Sequence, residues 1–255
     1  PRYSYRTIAM IESTEFLRRL ALSHPIVQAP MAGGADTPAL VAEVGRAGAL
    51  GFVGAAYLSP EQIARAAADI RARTQRPFGI NLFAPTPTPR APGPQAMETA
   101  LARVAPWFIE LGLPPPEPPA QANAAAARAA FDGQLAAALQ AKPIAISFTF
   151  GLLPEDAMAA IRAQGVMAIG TATTVEEARL LERAGADAVV AQGAEAGGHR
   201  GSFAQPFERA MVGTISLVPQ VVDAVRVPVL ASGGIMDGRG IAAARALGAV
   251  AVQMG

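Results

Sequence analysis

Thr174-Val175-Glu176-Glu177-Ala178-Arg179-Leu180-Leu181-Glu182-Arg183, then Ala184-Gly185-Ala186-Asp187, then Ala188-Val189-Val190-Ala191-Gln192-Gly193, reads as one helix–turn–strand unit. Thr174 with Glu177 three residues on is a capping-box arrangement that starts a helix. Arg183 in the last turn suits the negative end of the helix dipole. Gly185 can take the left-handed conformation that ends a helix cheaply. The apolar run that follows is short and rich in Val, as a buried strand requires. The same junction recurs at Arg46-Ala47-Gly48-Ala49, Arg162-Ala163-Gln164-Gly165 and Arg245-Ala246-Leu247-Gly248. Helix starts agree with it. Ser59-Pro60-Glu61-Gln62 offers a capping box with Pro at the first helical position, and Thr37-Pro38 has the cap and proline alone. Within 60–73, Ile63, Ala66, Ala67 and Ile70 fall on one helical face.

Between these helices eight apolar runs read as strands, at 26–30, 50–55, 78–83, 144–150, 166–171, 188–192, 228–232 and 249–254. Their nearly continuous hydrophobicity, without alternation, points to parallel strands covered on both faces. Eight strands alternating with helices predict a (β/α)8 TIM barrel, in preference to an open doubly wound sheet. The whole chain, 1–255, is read as a single domain, and 85–141 as an insertion after strand 3. Residues 85–119 of that insertion carry 11 of the 22 prolines, which predicts extended, semi-rigid backbone leading into an Ala-rich helix near 120–141. It is either a surface excursion or a flap over the active site, where long βα insertions usually serve.

Composition excludes several function classes. Of the 255 residues 51% are apolar, but 58 are alanine, so larger apolar side chains make up roughly 28%, ordinary for a soluble fold. Uncharged runs stay shorter than the roughly 18 residues of a membrane-spanning helix. The 21 basic and 20 acidic residues form no clustered stripe, so no nucleic-acid partner is expected. Without cysteine there is no disulfide framework, thiolate metal site or cysteine nucleophile. A cytoplasmic protein is expected, since the first residues show no secretory pattern and nothing requires an oxidising compartment. Twenty Arg against the single Lys142, with so much Ala, suggests a GC-rich bacterial genome.

In a barrel of this kind chemistry sits at the C-terminal ends of the strands. Those ends carry Gln28 to Gly34, Asn81, Thr171, Gln192-Gly193, Ser232-Gly233-Gly234 and Gln253-Met254-Gly255: amides and glycines, with no metal-ligand cluster. Gly233 and Gly234, together with Gly255, expose backbone N–H groups for a phosphate. Asn and Gln side chains supply the mixed donors and acceptors that a flavin ring edge requires. No G-x-G-x-x-G motif is present, so a dinucleotide would not bind in Rossmann fashion. The stretch Gln192-Gly193-Ala194-Glu195-Ala196-Gly197-Gly198-His199-Arg200-Gly201 holds one of only two histidines. A neutral imidazole there can accept a proton or hydrogen-bond an oxyanion. Arg200 is read as stabilising an anionic substrate or a negatively charged flavin. Glu195 is read as a structural or solvent-facing acid, and His24, at the opposite end of the barrel, as a surface residue.

These residues resemble the FMN-dependent nitronate monooxygenases (2-nitropropane dioxygenases). The likeness covers nearly the whole chain: 25–34, Pro77-Phe78-Gly79-Ile80-Asn81-Leu82-Phe83, Ser147-Phe148-Thr149-Phe150-Gly151, Thr171-Ala172-Thr173-Thr174, 184–193 and Gly197-Gly198-His199-Arg200-Gly201. The resemblance implies FMN seated by Met31, Asn81, Gln192, Gly197, Gly198, Gly233, Gly234, Gln253, Met254 and Gly255, with His199 as the active-site histidine. It implies oxidation of alkyl nitronates, propionate 3-nitronate among them, by O2 to carbonyl compounds and nitrogen oxides after one-electron transfer to the flavin. It also implies a chain that continues past Gly255 with helices closing the barrel against strand 1. Two other readings stand beside it: an FMN-dependent enoyl-acyl-carrier-protein reductase using NAD(P)H, and a non-redox barrel that binds a phosphorylated metabolite.

Overall fold

The computed structural model describes residues 15–85, 92–118 and 123–255. Eight strands run in chain order: β1 (Ile26–Gln28), β2 (Phe52–Gly54), β3 (Gly79–Phe83), β4 (Ala145–Thr149), β5 (Met167–Ala172), β6 (Ala188–Gln192), β7 (Val229–Ser232) and β8 (Ala251–Met254). Every pairing is parallel; from β2 to β8 each strand neighbours the next, and β8 pairs with β1. The remaining seam is sealed by a parallel bridge between Val27 and Leu50, through Gln28 N–H to Leu50 C=O (2.8 Å) and Leu50 N–H to Ile26 C=O (3.1 Å). The (β/α)8 barrel is therefore present, and strand hydrogen bonds close it. β1 pairs directly with β8, so strand hydrogen bonds join the first and last strands of the barrel.

Around the strands lie α1 (Pro38–Arg46), α2 (Pro60–Arg73), α3 (Pro94–Glu110), α4 (Ala124–Gln140), α5 (Glu155–Ala163), α6 (Val175–Arg183), α7 (Thr214–Ala224) and α8 (Gly238–Ala246). None of the described helices is long and apolar enough to cross a membrane. Gly48, Gly165, Gly185 and Gly248, the glycines of the recurring junction, all have positive φ. Ser59 and Gln62 form the full capping box, and Thr37 accepts from Leu40 N–H. Thr174 accepts from Glu177 N–H, but the Glu177 carboxylate does not complete the box; it turns inward to other donors.

The described residues fall into two compact units, the barrel (15–85 with 131–255) and a segment within 86–130. In the second unit α3 spans Pro94–Glu110 with Pro106 inside it and buries no residue. The expectation of extended backbone across 85–119 is thus corrected for 94–110. Pro94 occupies the favoured first helical position, and the run to Ala105 holds no further proline, so a helix establishes itself before Pro106 interrupts its bonding. The part of the expectation that falls on 86–91 and 119–122 lies outside the described residues.

Strand alternation divides the barrel's apolar residues into two cores. Outward residues such as Val53, Ile80, Ile146, Ala168, Val189, Ala231 and Val252 pack against helix residues including Val41, Ile63, Ile70, Ile161, Leu181 and Val221. Inward residues Val27, Phe52, Met167, Ile169, Val190, Leu230 and Ala251 fill the barrel, joined by Phe16 and Leu20 from the segment before β1. Gly79 pairs with Phe52, and a methyl group there would lie 2.3–2.6 Å from the Phe52 ring. Gly79→Ala should therefore cost about 1–3 kcal/mol through overpacking. Urea unfolding should show a lower midpoint at unchanged slope.

The loop after β6 also caps a helix. Gly213 gives α7 no side-chain cap; the Glu195 carboxylate supplies one, accepting from Thr214 N–H (2.8 and 3.1 Å) and the Thr214 hydroxyl (2.8 Å). Burial opposes ionisation, but backbone N–H groups, the Thr214 hydroxyl and the Arg200 charge outweigh it and hold this carboxyl below the ordinary glutamate range. A depressed folded-state pKa stabilises the fold above the unfolded pKa, and that stability is lost as pH falls through the folded value. Thermal midpoints measured from about pH 6 to pH 3 should fall less steeply for Glu195→Gln than for the parent chain.

Candidate active site

The barrel's inner wall changes character along its axis. Below, it is Phe52, Met167, Val190 and Leu230. Towards the C-terminal ends the inward positions become Asn81, Ser147, Thr149, Thr171, Gln192, Ser232 and Gln253. Asn81 Nδ2 donates to Ser147 Oγ at 3.0 Å, and the Thr149 and Thr171 hydroxyls lie 3.4 Å apart. Parallel register aligns Gln192 with Ser232 and Ser232 with Gln253. Amides and hydroxyls at this depth offer a planar, polar-edged ligand both donors and acceptors.

His199 stands over this mouth on the loop after β6. Its ring meets Phe83, at the end of β3, at 6.1 Å and 65°, and Phe150, just after β4, at 5.8 Å and 82°. Phe83 and Phe150 pack edge to face at 4.8 Å, and Tyr57 adds a fourth ring 5.7 Å from Phe83. Such edge-to-face contacts orient an imidazole without engaging its nitrogens. Phe150 has φ +72°, a left-handed conformation that a bulky side chain adopts only when its surroundings enforce it.

Gln192 joins strand to loop. Its Nε2 donates to His199 C=O (2.9 Å), and its Oε1 accepts from Gly201 N–H (2.8 Å). Gly201 lies on the barrel mouth, where a methyl group would come within 3.0–3.1 Å of the Thr171 and Thr149 methyls.

The other residues expected at the site are engaged in different ways. Gly233 (φ +115°) and Gly234 (φ +69°) turn sharply after β7, and their N–H groups donate to no protein oxygen among the described residues. Gln253 faces inward, whereas Met254 packs with the outer core, since adjacent strand residues point to opposite faces. Met31 is held by its own N–H, which donates to Asp36 Oδ2 at 2.7 Å; the same oxygen accepts from Gly54 N–H at 2.5 Å. Gly197 and Gly198 are exposed with nothing within 4 Å of an added methyl, and Gly255 directly follows β8 at the same barrel face.

Arg200 sits differently from the anion-binding position expected of it. Its guanidinium donates to the carbonyls of Gln192, Gly193, Ala210 and Thr173, and Nε is buried without a partner. Burial pulls this group below its ordinary value while Glu177 and Glu195 oppose the shift. Sequence reasoning missed Glu177, which reads as a capping residue yet is fully buried at the base of the loop. It also missed Asp36 and the aromatic cluster. Only Thr173-Thr174-x-x-Glu177, with a second hydroxyl before the cap, carried any signal for the first.

Comparison with known proteins gives this geometry its context. The family model for nitronate monooxygenase matches residues 14–255. A "probable nitronate monooxygenase" of Staphylococcus aureus (strain Newman) is 42% identical over 247 residues, covering 96% of this chain and 67% of the relative. The crystal structure of a nitroalkane oxidase from Streptomyces ansochromogenes superposes with a TM-score of 0.83 at 40% identity, over 94% of this chain and 67% of that one. FabK from Thermotoga maritima is more distant, with a TM-score of 0.69 at 33% identity over 94% and 60%. A barrel with a polar mouth, a ring-packed histidine and this match over most of its length belongs to the nitronate monooxygenase family of flavin-dependent oxidoreductases.

Proposed function

We propose that this enzyme binds FMN and oxidises alkyl nitronates with O2, giving carbonyl compounds and nitrogen oxides. The observation that carries the reading is His199, held by the Phe83 and Phe150 rings over a barrel mouth lined with amides and hydroxyls. The donor set fits the cofactor. The N–H groups of Gly233 and Gly234, both with positive φ and with no protein acceptor among the described residues, suit a phosphate. Asn81, Gln192 and Gln253 suit the mixed acceptor and donor edge of the ring system, for Gln192 keeps one acceptor and one donor site beyond its bonds to the loop. When bound, the flavin supplies the electron-accepting chemistry; the protein supplies binding, orientation and electrostatics. His199 hydrogen-bonds the nitro group and, for neutral nitroalkanes, accepts the α-proton. Propionate 3-nitronate and simple alkyl nitronates are the first substrates to try.

Anaerobic addition of a nitronate to the FMN-loaded protein should bleach the flavin absorbance, and admission of O2 should restore it. Unchanged absorbance across a panel of nitronates would sink the proposal. NADH oxidation that depends on a crotonyl thioester would move it to an enoyl-thioester reductase, and a protein that binds no FMN would move it to a non-redox barrel. His199→Ala should leave FMN bound and lower turnover of neutral nitroalkanes by roughly 10²–10⁴-fold. Steady-state kinetics with a neutral nitroalkane and its nitronate would show whether the loss is confined to the proton-transfer substrate.

A further inference from the structure

Regular structure in residues 193–213, the loop that carries His199, is confined to the 3₁₀ turn Phe207–Ala210. Ala194 N–H donates to Val212 C=O and Glu195 is bound at Thr214; two further charged side chains hold the stretch that follows His199. Arg200 ties three separate stretches together through backbone carbonyls: the end of β6 at Gln192 and Gly193 (2.7 Å to the latter), the far side of the loop at Ala210, and Thr173 between β5 and α6 (3.5 Å). Glu177, 0% exposed, faces it across Thr173. One carboxylate oxygen accepts from the Thr173 N–H and hydroxyl, both at 2.6 Å. The other accepts from Phe203 N–H (2.6 Å) and Ala204 N–H (3.0 Å). The Thr173 hydroxyl also lies 3.0 Å from Ser202 Oγ.

A fully buried carboxylate is tolerated only with its oxygens saturated, and removing a partner from such a network is costly. These donors come together in one conformation of the loop, so the two charges select that conformation. With the His199 carbonyl and the Gly201 N–H also held by Gln192, the backbone from the His199 carbonyl through Arg200 to Gly201 is fixed. The Phe83 and Phe150 rings restrict the imidazole from the side-chain end.

We infer that Arg200 and Glu177 are positioning residues, a paired clamp around Thr173 that sets His199 at the barrel mouth, and that Arg200 is not the group that pairs with an anionic substrate. This rests on the proposed role of His199 in nitronate and nitroalkane oxidation. Misplacing a reacting group by about 1 Å can cost 10²-fold, and losing an orienting partner roughly 10–100-fold.

The test uses the FMN-loaded enzyme with Arg200→Lys and Glu177→Gln. Both should lower kcat on a neutral nitroalkane by about 10–100-fold, with KM for an anionic nitronate and Kd for FMN within about threefold of the parent. Amide hydrogen exchange should quicken across 193–213 and stay unchanged in β1 to β5, with or without FMN. A KM for nitronate raised tenfold or more at preserved kcat in Arg200→Lys would overturn the inference, because an anion-pairing arginine behaves that way. Unchanged exchange in 193–213 in both variants would overturn it as well. Should either variant fail to fold, Thr173→Val, which removes one donor to Glu177, and Thr173→Ser, which restores it, decide the matter. The valine variant should show the kcat loss and faster exchange, the serine variant neither, and equal behaviour of the two would overturn the clamp. If the parent enzyme oxidises no nitronate, the proposed function fails while hydrogen exchange still judges the clamp.

Discussion

The parallel register of the barrel is the constraint from which the site follows. Because neighbouring strands pair without reversal, every second residue points inward, and residues paired across β6, β7 and β8 stand at one level. Gln192, Ser232 and Gln253 are thereby set side by side although 20 or more residues of sequence separate each from the next. The same alternation sends Met254 out to the helix layer. A single-residue slip in β8 would exchange the two, placing a thioether at the mouth and an amide in the outer core. The inner apolar core, with Phe16 and Leu20 at one end, keeps the register rigid enough to hold the polar ring at the other.

Charge plays a quieter part than composition suggests. The 21 basic and 20 acidic residues form no clustered stripe in the sequence, yet the carboxylates of Asp36, Glu177 and Glu195 all serve backbone N–H groups close to the mouth. Asp36 ties the loop after β1 to β2, Glu177 ties the histidine loop to α6, and Glu195 caps α7. Loops at the active face of a barrel lack strand partners for their backbone, so buried side chains must satisfy it. That is why acids gather around this site as acceptors for backbone N–H groups. Arg200 obeys the same logic with carbonyls.

Most of the fold is legible in the sequence because its signals are local. The eight strands lie where the apolar runs place them, to within a few residues at their ends, and the glycines after α1, α5, α6 and α8 take the left-handed conformation that their junctions predict. Pro94 to Glu110 is the exception: counting prolines over a long window hid an unbroken run able to start a helix. At the site, the polar ends of β3, β6, β7 and β8 and the turn at Gly233 and Gly234 could be listed in advance, since position along a strand fixes which end a residue occupies.

The sequence by itself determined the parallel eightfold alternation, the helix ends and the identity of the amides, glycines and histidine gathered at one face. Tertiary structure alone decided how those side chains are engaged. Nothing in the order of residues says that Glu177 reaches past its own helix to Phe203 and Ala204, that Arg200 closes on four carbonyls, or that Phe83 and Phe150 converge on His199 from different strands. Capping and periodicity are properties of neighbours along the chain. Saturating a buried charge depends on donors that become neighbours only when the barrel closes.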